Sequence, residues 1–571
     1  MGMSITVITA NDRLANIDQH FKVMAGPGAG KTRFLINHIK NILTTSTRLK
    51  TSRKIACITY TTVAADNIVS RVGDHGGRLE ISTIHSFLYK YLIKPYVHLV
   101  AAQFGLDATK IKGHDDVLFT GFNFISEWKR RTSQFYLDDR DIIRALEKIQ
   151  WKYSASDELI LSPPYPIRSQ QYTIRQDSYM EYRKMIWELG LLHHDDVLFF
   201  SAQLCNQFPF VLDVLRAVFP YFLVDEFQDT SPIQIKLLTK LSLRETVVGV
   251  VGDAAQSIYG FLGAAPNQLH EFILPNMAEY RIDDNWRSSN QIVTLLNKVR
   301  HNLQQNGLRN IDRTPVMVLV GDKLRAQNWI KTTYPSDDTV ILTRDNITAN
   351  LLKKGINGIS TQDLLKEIRS KDSASPRRRA ISNSTKAIEH AKNGYFKDAM
   401  KTMEKLYNFG QTINDKKRAL KSLKTLLDKR SAFEGGKLIR LYDVINSEGI
   451  AALTGLRSGA AKTFYDTTEY DQFAASVKNL YETGEQRTIH KAKGEEFGTV
   501  LLVIDSDGQT AFNETQALAF LLGPNLDGIE EHRVMYVALS RAKDNLLINV
   551  PSLSGSAQTA LEAMGISVVS V

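Results

Sequence analysis

The feature that most constrains this chain is the segment AGPGAGKT at residues 25–32. An apolar stretch typical of a strand precedes it, and Leu35, Ile39 and Ile42 follow it at helical spacing. Glycines let backbone N–H groups turn around a phosphate, the lysine supplies a cation, and the threonine hydroxyl can ligate Mg²⁺. Because strand, loop and helix occur in this order, the segment predicts a nucleotide-binding α/β core.

Short apolar runs rich in β-branched residues alternate with longer segments of helical periodicity along both halves of the chain. This alternation is typical of parallel sheets with crossover helices. The predicted strands are residues 21–25, 54–59, 221–224, 246–251, 316–320, 339–343, 499–504 and 546–550. The runs YFLV and VVGVV suit strands that are buried on both faces. At 571 residues the chain is too long for one core, so two α/β cores are expected.

Two long stretches without such strands interrupt these cores, and both have mainly helical patterns. The predicted domains are therefore 1–88 with 200–275, a helical insertion at 89–199, 276–358 with 482–571, and a second helical insertion at 359–481. Residues 370–386 contain few large apolar residues and many Ser, Lys and Arg. Such a composition favours a loop or a disordered segment.

Two carboxylates, Asp225 and Glu226, follow the apolar run YFLV directly. The carboxyl end of a buried parallel strand is the usual place for ligand chemistry, so Asp225 could hold Mg²⁺ and Glu226 could polarise an attacking water. Taken alone, the pair is better explained as a helix start with an aspartate cap. The next predicted strand leads to Gln256, a candidate sensor of a γ-phosphate.

The segments LVDEFQDTSPIQ and VGDAAQSIYGF resemble motifs II and III of the UvrD/PcrA/Rep group of superfamily 1 helicases. Other segments resemble the remaining motifs of that family in the family's order: NDRLANIDQ, GKTR, ITYTTVAADNIVSRV, STIHSF, DNWRSS, TIHKAKGEEF and EEHRVMYVALSRAKDNLLI. The resemblance extends over residues 11–548 and therefore over almost the whole chain.

The resemblance implies two RecA-like P-loop NTPase domains, each with a mainly helical insertion, that hydrolyse ATP with Mg²⁺. The implied activity is an ATP-dependent translocase or helicase on single-stranded or tailed duplex DNA, with 3′ to 5′ polarity. The implied ATP-binding residues are Gln19, Ala25, Gly26, Gly28, Ala29, Gly30, Lys31, Thr32, Arg33 and Glu496. The implied catalytic residues are Lys31, Glu226, Gln256, Arg287 and Arg541, and the implied Mg²⁺ ligands are Thr32 and Asp225. Arg541 would otherwise be a solvated arginine on a helix.

A motor of this family grips single strands by stacking bases on aromatic rings. The matching positions here are Thr59, Tyr60, His85, Tyr259 and Phe261, although the aromatics could also be core residues. The chain departs from the family at Leu262, where the family has arginine, and at Glu495, where it has leucine. Motif Ia also lacks its lysine. These departures weaken the expectation of processive unwinding more than that of ATP binding.

The charge balance is 71 Lys+Arg against 61 Asp+Glu, a net charge of +10, which favours a polyanionic partner. The basic run at residues 416–430 could contact a duplex or a partner, or it could be a solvated face over an apolar stripe. The sequence HHDD at residues 193–196 is expected to cap a helix, since four consecutive residues cannot easily converge on one metal ion. The chain has only two cysteines, no recognisable signal sequence and no long apolar run, so we expect a cytoplasmic protein without a membrane span.

The chain ends at Val571, shortly after Arg541, so we expect no appended nuclease domain. This compact plan resembles the helicase-like subunit of the Gabija antiphage system, which works with an OLD-like nuclease. The resemblance implies a hetero-oligomer with such a nuclease in antiviral defence. The alternative is an ATP- or DNA-end-sensing subunit that regulates a partner nuclease and unwinds little.

Overall fold

The computed structural model of this chain describes residues 5–73, 76–111, 113–115, 118–119, 122–169, 171–260, 263, 267–335, 338–357, 363–407, 412–478, 484–505 and 512–571. The chain divides into two compact units. The first comprises Met1–Trp286, Leu303–Leu308 and Leu526–Arg533, and the second comprises Arg287–Asn302, Arg309–Asn525 and Val534–Val571. The predicted domain limits at 358/359 and 481/482 fall on residues outside the described ones.

The first unit is built on a seven-stranded parallel sheet. Its strands lie in the order Thr6–Val7, Ala278–Ile282, Phe21–Ala25, Val247–Gly252, Tyr221–Val224, Ile55–Thr59 and Leu79–Thr83. The first sheet continues past the predicted domain limit at residue 275, because Ala278–Ile282 pairs along its whole length with Phe21–Ala25. That strand carries polar residues at alternate positions, so it lacks the apolar run of a strand that is buried on both faces.

Helices cover the sheet of the first unit. Their bounds are Lys31–Thr45, Thr62–Val72, Ile84–Leu88, Tyr89–Ile93, Lys94–Tyr96, His98–Phe104, Ala108–Lys110, Phe122–Thr132, Asp139–Leu146, Gln176–Trp187, His194–Gln207, Pro209–Val218, Phe227–Asp229, Pro232–Ser242, Ala254–Gln256 and Gln268–Glu271. Tyr89–Ile93 is a π-helix, and the segments at 108–110, 227–229 and 254–256 are 3₁₀ turns. The helix Glu530–Leu539 begins in this unit.

The first insertion is mainly helical, as predicted, but it also contains two hairpins. Gln150–Tyr153 pairs antiparallel with Leu159–Ser162, and Arg168–Ser169 with Tyr172–Thr173. The predicted limit at residue 199 falls inside the helix His194–Gln207. The apolar core of the insertion is continuous with the core on one face of the sheet, so no boundary of packing separates them at that point.

A buried carboxylate, Asp196, organises the core of the insertion. It accepts hydrogen bonds from Nε1 of Trp151 (3.1 Å) and Nε1 of Trp187 (2.9 Å), and from the backbone N–H of His193 (2.9 Å). The Arg183 guanidinium lies 3.5 Å away. Asp196 therefore caps the helix from its third position, which agrees with the capping expectation for residues 193–196. No group of three or more His, Cys, Asp or Glu side chains suited to a metal ion occurs among the described residues.

The second unit contains a six-stranded parallel sheet. Its strands lie in the order Gln486–Thr488, Thr339–Thr343, Phe497–Val503, Ala542–Val550, Met317–Val320 and Ser567–Ser570. Its helices are Asn290–Val299, Lys323–Thr333, Asn346–Lys354, Leu364–Lys371, Ser375–Lys392, Phe396–Glu404, Ile413–Asp428, Arg430–Ala432, Leu438–Ser447, Ala460–Thr467, Tyr470–Ala475, Glu514–Ala517, Ala519–Leu522 and Gly555–Ala563.

The expectation of a loop or disorder at residues 370–386 is wrong, because Ser375–Lys392 is an 18-residue helix. Its first turn is held by an ion pair in which the Arg377 guanidinium lies 2.5 Å from the Asp372 carboxylate. The Tyr465 hydroxyl donates to the same carboxylate at 3.0 Å. Small residues and two isoleucines, Ile381 and Ile388, bury one face of the helix in the core of the second insertion. Because small side chains fill much of this buried face, few large apolar residues are needed.

Among the described residues, no single helix is long and apolar enough to cross a membrane. One pair, His194–Gln207 with Pro209–Val218, meets the length and composition requirement only as a bent pair, with an angle of 104° between its helices. Both helices bury apolar faces in the core of the first unit.

We expect Asp196→Ala to lower the free energy of unfolding by about 3 to 5 kcal/mol, because it leaves the Arg183 guanidinium and two indole N–H groups buried without their acceptor. Urea denaturation followed by tryptophan fluorescence would measure the change. The matched control is Asp177→Ala, whose side chain is 78% exposed and pairs only at the surface. Equal losses in the two variants would contradict the assigned role.

Candidate nucleotide and nucleic-acid site

The phosphate loop connects the strand Phe21–Ala25 to the helix Lys31–Thr45. Gly28 and Gly30 have φ angles of 71° and 85°, a region that favours glycine. A Cβ atom on Gly30 would also lie 2.8 Å from Cβ of Ala10. The Lys31 Nζ donates to the carbonyls of Ala25 and Gly26, both at 3.3 Å. These long bonds hold the ammonium at the mouth of the loop, where a phosphate would offer it a stronger acceptor.

Asp225 and Glu226 emerge from the fully buried strand Tyr221–Val224. Burial raises the pKa of the Asp225 carboxyl well above its usual range, Glu226 raises it further, and Lys31 acts in the opposite direction. Glu226 has a φ of 52°, an uncommon angle for a residue other than glycine. Such backbone strain, at the end of a strand in an open parallel sheet, supports a functional role for this carboxylate.

Gln228 connects the two loops that follow the central strands. Its Nε2 donates to Oε2 of Glu226 at 2.5 Å, and its Oε1 accepts from the backbone N–H of Asp253 at 2.9 Å. Asp253 in turn accepts from Nε2 of Gln256 at 2.7 Å. The side chains of Gln228, Asp253 and Gln256 are buried. The predicted water-polarising carboxylate and the predicted γ-phosphate sensor are therefore linked by one buried hydrogen-bond network.

The remaining residues of the predicted ATP site in the first unit differ in exposure. Ala29 is buried, Thr32 is half-buried and Arg33 is exposed. Gln19, the predicted adenine contact, donates from Nε2 to the carbonyl of Asn276 at 2.9 Å. A hydroxyl, a carboxylate and an ammonium at a glycine-rich loop form the donor set that a magnesium nucleotide requires.

The predicted arginines lie in the second unit together with Glu496. Arg287 donates from Nε to Oε2 of Glu496 at 2.7 Å and from a terminal nitrogen to the carbonyl of Ser540 at 2.9 Å. Arg541 is 2% exposed, and its Nε donates to the carbonyl of Val537 at 3.1 Å, so it is no solvated surface arginine. Burial would raise the pKa of Glu496, but Arg287, Lys543 and Arg541 outweigh burial and lower it.

Glu495, the apparent extra negative charge of this segment, has a local counter-ion. A terminal nitrogen of Arg487 donates to both of its carboxylate oxygens, at 2.9 and 3.0 Å. The same guanidinium lies 5.0 Å from the ring centre of Phe497. The departure from the family pattern at Glu495 is therefore neutralised within the segment, and it does not present an unpaired carboxylate.

The predicted strand track of the first unit brings two tyrosines together. The rings of Tyr60 and Tyr259 are stacked, with centres 4.6 Å apart and planes 19° apart, and burial raises the pKa of both phenols above its usual range. Tyr60 and His85 line a cavity of about 210 Å³ that also contacts Glu226. Thr59 is buried and donates from its hydroxyl to the carbonyl of Thr61 at 2.9 Å. Phe261 and Leu262 lie outside the described residues.

Several residues without a predicted role form hydrogen bonds to the loop that carries Tyr259. Arg533 is buried and donates from Nε to the carbonyl of Ser257 at 2.7 Å, and the backbone N–H of Gly260 donates to Glu530 at 3.1 Å. These bonds fix the backbone on both sides of Tyr259. The only signal in the sequence was that Arg533 stands on the apolar-rich helix that leads to Arg541.

Trp286 is a second such residue. Its backbone N–H donates to the carbonyl of Gly28 at 2.9 Å, and its side chain is 48% exposed, unusual for so large an apolar group. An exposed indole next to a phosphate loop offers a stacking surface for a flat ligand. The signal in the sequence was an aromatic residue beside Arg287.

Comparison with known proteins agrees with this geometry. The family model described as the UvrD/REP helicase N-terminal domain matches residues 9–275, and the UvrD-like helicase C-terminal domain matches residues 345–552. The chain belongs to the UvrD/Rep helicase family. The predicted fold class, with two helicase domains of mixed α/β structure on parallel sheets, and the resemblance to that family are confirmed.

Relatives of this chain include DNA helicases of bacteria and yeast. The chain is 29% identical over 299 residues to "ATP-dependent DNA helicase srs2" of Schizosaccharomyces pombe, covering 48% of this chain and 32% of the relative. It is 28% identical over 298 residues to "ATP-dependent DNA helicase PcrA" of Bacillus subtilis, covering 51% and 38%. It is 24% identical over 616 residues to "Putative ATP-dependent DNA helicase YjcD" of Bacillus subtilis, covering 93% and 76%. The chain thus spans less than half the length of the first two relatives.

We expect Gln228→Leu to lower the maximal rate of nucleotide hydrolysis about 10-fold or more with little change in nucleotide affinity, because it removes the bond that orients Glu226 and leaves the phosphate loop untouched. Steady-state kinetics together with equilibrium binding of Mg-ADP would separate the two effects. Gln558→Leu, at an exposed position of the helix Gly555–Ala563, is the matched control. A weakened Mg-ADP complex with an unchanged maximal rate would contradict the role.

Proposed function

We propose that this protein is an ATP-dependent translocase or helicase that acts on single-stranded DNA. The observation that carries the proposal is the cluster of Lys31, Asp225, Glu226, Gln228 and Gln256 at the carboxyl edge of the first sheet, in which Gln228 donates to Glu226 and the Lys31 charge acts on Asp225. This cluster provides one ammonium for phosphate binding and one carboxylate for water activation.

In the proposed reaction, Lys31 binds the β- and γ-phosphates and Glu226 orients a water molecule and takes up its proton. A bond forms between the water oxygen and the γ-phosphorus while the bond to the bridging oxygen of ADP breaks. Thr32 and Asp225 would hold Mg²⁺, which would neutralise charge on the phosphates. The raised pKa of Asp225 supports this role, because a cation next to the carboxylate compensates for its burial.

Arg287 and Arg541 are proposed to stabilise negative charge on the transferring phosphoryl group. Arginines in that role can contribute roughly 10³ to 10⁵ in rate. Because both residues belong to the second unit, their action would make hydrolysis depend on the arrangement of the two units. That dependence is what a motor needs in order to convert hydrolysis into movement.

Tyr60 and Tyr259 are proposed to stack on the bases of the strand, with His85 close to the backbone. Stacking on aromatic rings tolerates any base sequence, which suits a translocating protein. The stacked tyrosines lie beside the cavity that reaches Glu226, so the strand and the hydrolysis site share neighbours within the first unit. Relatives named as DNA helicases support DNA as the nucleic acid.

We further propose 3′ to 5′ movement and a role as the helicase-like subunit of an antiphage complex that contains an OLD-like nuclease. The direction rests on the resemblance of the motifs, and the antiphage role rests on the resemblance to the Gabija subunit. Encoding of such a nuclease beside this protein would support the second proposal.

The proposed function is tested by ATP hydrolysis with and without single-stranded DNA, followed by strand displacement on 3′-tailed and 5′-tailed duplexes. Stimulated hydrolysis with displacement of the 3′-tailed duplex is expected. Stimulation without displacement would replace the helicase by a DNA-end-sensing regulator of a nuclease. Hydrolysis indifferent to DNA would refute the motor and the DNA-end sensor, and would leave an ATP-sensing regulator of a nuclease as the alternative.

We expect Glu226→Gln to bind ATP as the wild type does and to lose nearly all turnover, since the substitution removes the proton acceptor and retains the size of the side chain. Filter binding of labelled ATP and a phosphate-release assay would measure the two properties. The control Glu271→Gln changes an exposed carboxylate on the helix Gln268–Glu271 and should be neutral. Wild-type turnover by Glu226→Gln would refute the assignment.

We expect Tyr259→Ala to weaken binding of single-stranded DNA by about 1 to 3 kcal/mol, because it removes a stacking ring. Tyr259→Phe keeps the ring and should bind within a factor of about two of the wild type. Fluorescence anisotropy with a labelled oligonucleotide at one fixed salt concentration provides the measurement. Unchanged affinity of Tyr259→Ala would assign this residue to packing alone.

A further inference from the structure

The tip of the phosphate loop is held by residues that lie far along the chain. The carbonyl of Pro27 accepts a hydrogen bond from Nε2 of Gln305 at 2.9 Å and another from Nδ2 of Asn285 at 3.2 Å. Nδ2 of Asn285 also donates to Oε1 of Gln305 at 3.3 Å. The two amides and the carbonyl therefore form one closed, mutually bonded group.

This group is buried and rigidly placed. Asn285 is 0% exposed and Gln305 is 5% exposed. The short parallel strands Asp284–Asn285 and Asn306–Gly307 pair with each other and position the two side chains. Gln305 also donates to the carbonyl of Asp284 at 3.3 Å. All of these residues belong to the first unit, although residues 276–344 lie between the regions that the two family models match.

The chemistry of the loop explains why Pro27 needs such partners. A phosphate is held by backbone N–H groups that point inward, so the carbonyls of the same loop must point outward. Proline has no N–H, and Pro27 therefore contributes only its carbonyl. Gly28 follows with a φ of 71° and, without a Cβ, offers little resistance to rotation of the peptide unit between them. Rotation of that unit would direct the Pro27 oxygen toward the phosphate.

We propose that Asn285 and Gln305 are positioning residues that hold the Pro27 carbonyl outward and thereby keep the phosphate loop ready for nucleotide. The proposal rests on the proposed ATP-binding function and assigns it two further residues. Neither amide contacts the nucleotide; both act through the Pro27 carbonyl. Since a bound phosphate itself holds the loop, the amides contribute to binding and much less to turnover at saturation.

The first test replaces Gln305 by methionine, which keeps the length of the side chain and removes both hydrogen-bonding atoms. We expect the Kd for Mg-ADP and the KM for ATP to rise about three- to ten-fold, the range of one lost neutral hydrogen bond. The kcat should stay within about two-fold of the wild type. Gln304→Met, at the exposed neighbouring position, is the matched control and should bind Mg-ADP like the wild type.

The second test uses Gln305→Glu and pH. An ionised carboxylate facing the Pro27 carbonyl can only repel it, so near pH 8 this variant should bind Mg-ADP more weakly than Gln305→Met. A buried glutamate has a raised pKa, and once protonated it can donate to the carbonyl. Its affinity relative to wild type should therefore recover toward pH 6, whereas that of Gln305→Met should not change. A ratio independent of pH would overturn the proposed contact.

The third test uses the close approach of Gly26. A Cβ atom at Gly26 would lie 2.6 Å from Nε2 of Gln305, so Gly26→Ala must displace the amide. Gly26→Ala should then weaken Mg-ADP binding in the wild type and cost less in a Gln305→Ala background. Strictly additive costs would count against a shared mechanism.

Calorimetric titration of Mg-ADP into the full chain distinguishes the two levels of the proposal. A wild type that does not bind Mg-ADP refutes the proposed function itself. A wild type that binds, together with a Gln305→Met variant that binds equally well, refutes the positioning role alone. Loss of kcat without a change in KM would likewise overturn it, because that pattern indicates damage to the hydrolysis step.

Discussion

The proposed nucleotide site depends on charge held at the carboxyl edge of a buried parallel sheet. Asp225 leaves the fully buried strand Tyr221–Val224, and burial and Glu226 together raise its pKa. The Lys31 ammonium opposes these charges from the phosphate loop, but its hydrogen bonds in the structure go to the weak carbonyl acceptors of Ala25 and Gly26. A magnesium nucleotide would satisfy both partners at once, since its cation compensates Asp225 and its phosphate accepts from Lys31. The ligand therefore completes an electrostatic balance that the protein leaves open.

Two loops near this site form hydrogen bonds with residues at which the chain leaves the first unit for the second. Trp286, the last residue of the first unit before Arg287, donates its N–H to the phosphate loop at Gly28. Arg533 is the last residue of the segment Leu526–Arg533, after which the chain passes into the second unit. Its Nε donates to the carbonyl of Ser257 on the loop that carries Tyr259. These two hydrogen bonds therefore lie next to the peptide bonds that lead to Arg287 and along the helix toward Arg541.

Local patterns in the sequence predicted those parts of the fold that local patterns determine. The glycine-rich loop, the apolar strands and the carboxylates after YFLV each depend on neighbours within a few residues, and the structure has the strands within a few residues of the predicted positions. The sequence does not predict Ala278–Ile282 because the strand is only partly buried and carries polar residues at alternate positions. It does not predict Ser375–Lys392 because small residues make up much of the buried face of that helix. Gln305 could not be found from the sequence, since its partner Pro27 is 278 positions away. No periodicity connects two such residues, and only the folded backbone brings them together.

The effect of a charged residue in a motif also depends on residues outside that motif. From the sequence alone, Glu495 adds an unpaired negative charge to its motif. In the structure, Arg487, eight positions earlier, supplies the counter-ion. The helix Ile413–Asp428 carries four exposed lysines, Lys416, Lys417, Lys421 and Lys424, and no carboxylate of the described residues forms an ion pair with them. Much of the excess positive charge thus lies on the second insertion, whereas the proposed strand track of the first unit consists of aromatic rings and hydroxyls. We therefore propose that long-range attraction of a polyanion and stacking on individual bases belong to different parts of the chain, and that only the attraction weakens steeply with salt.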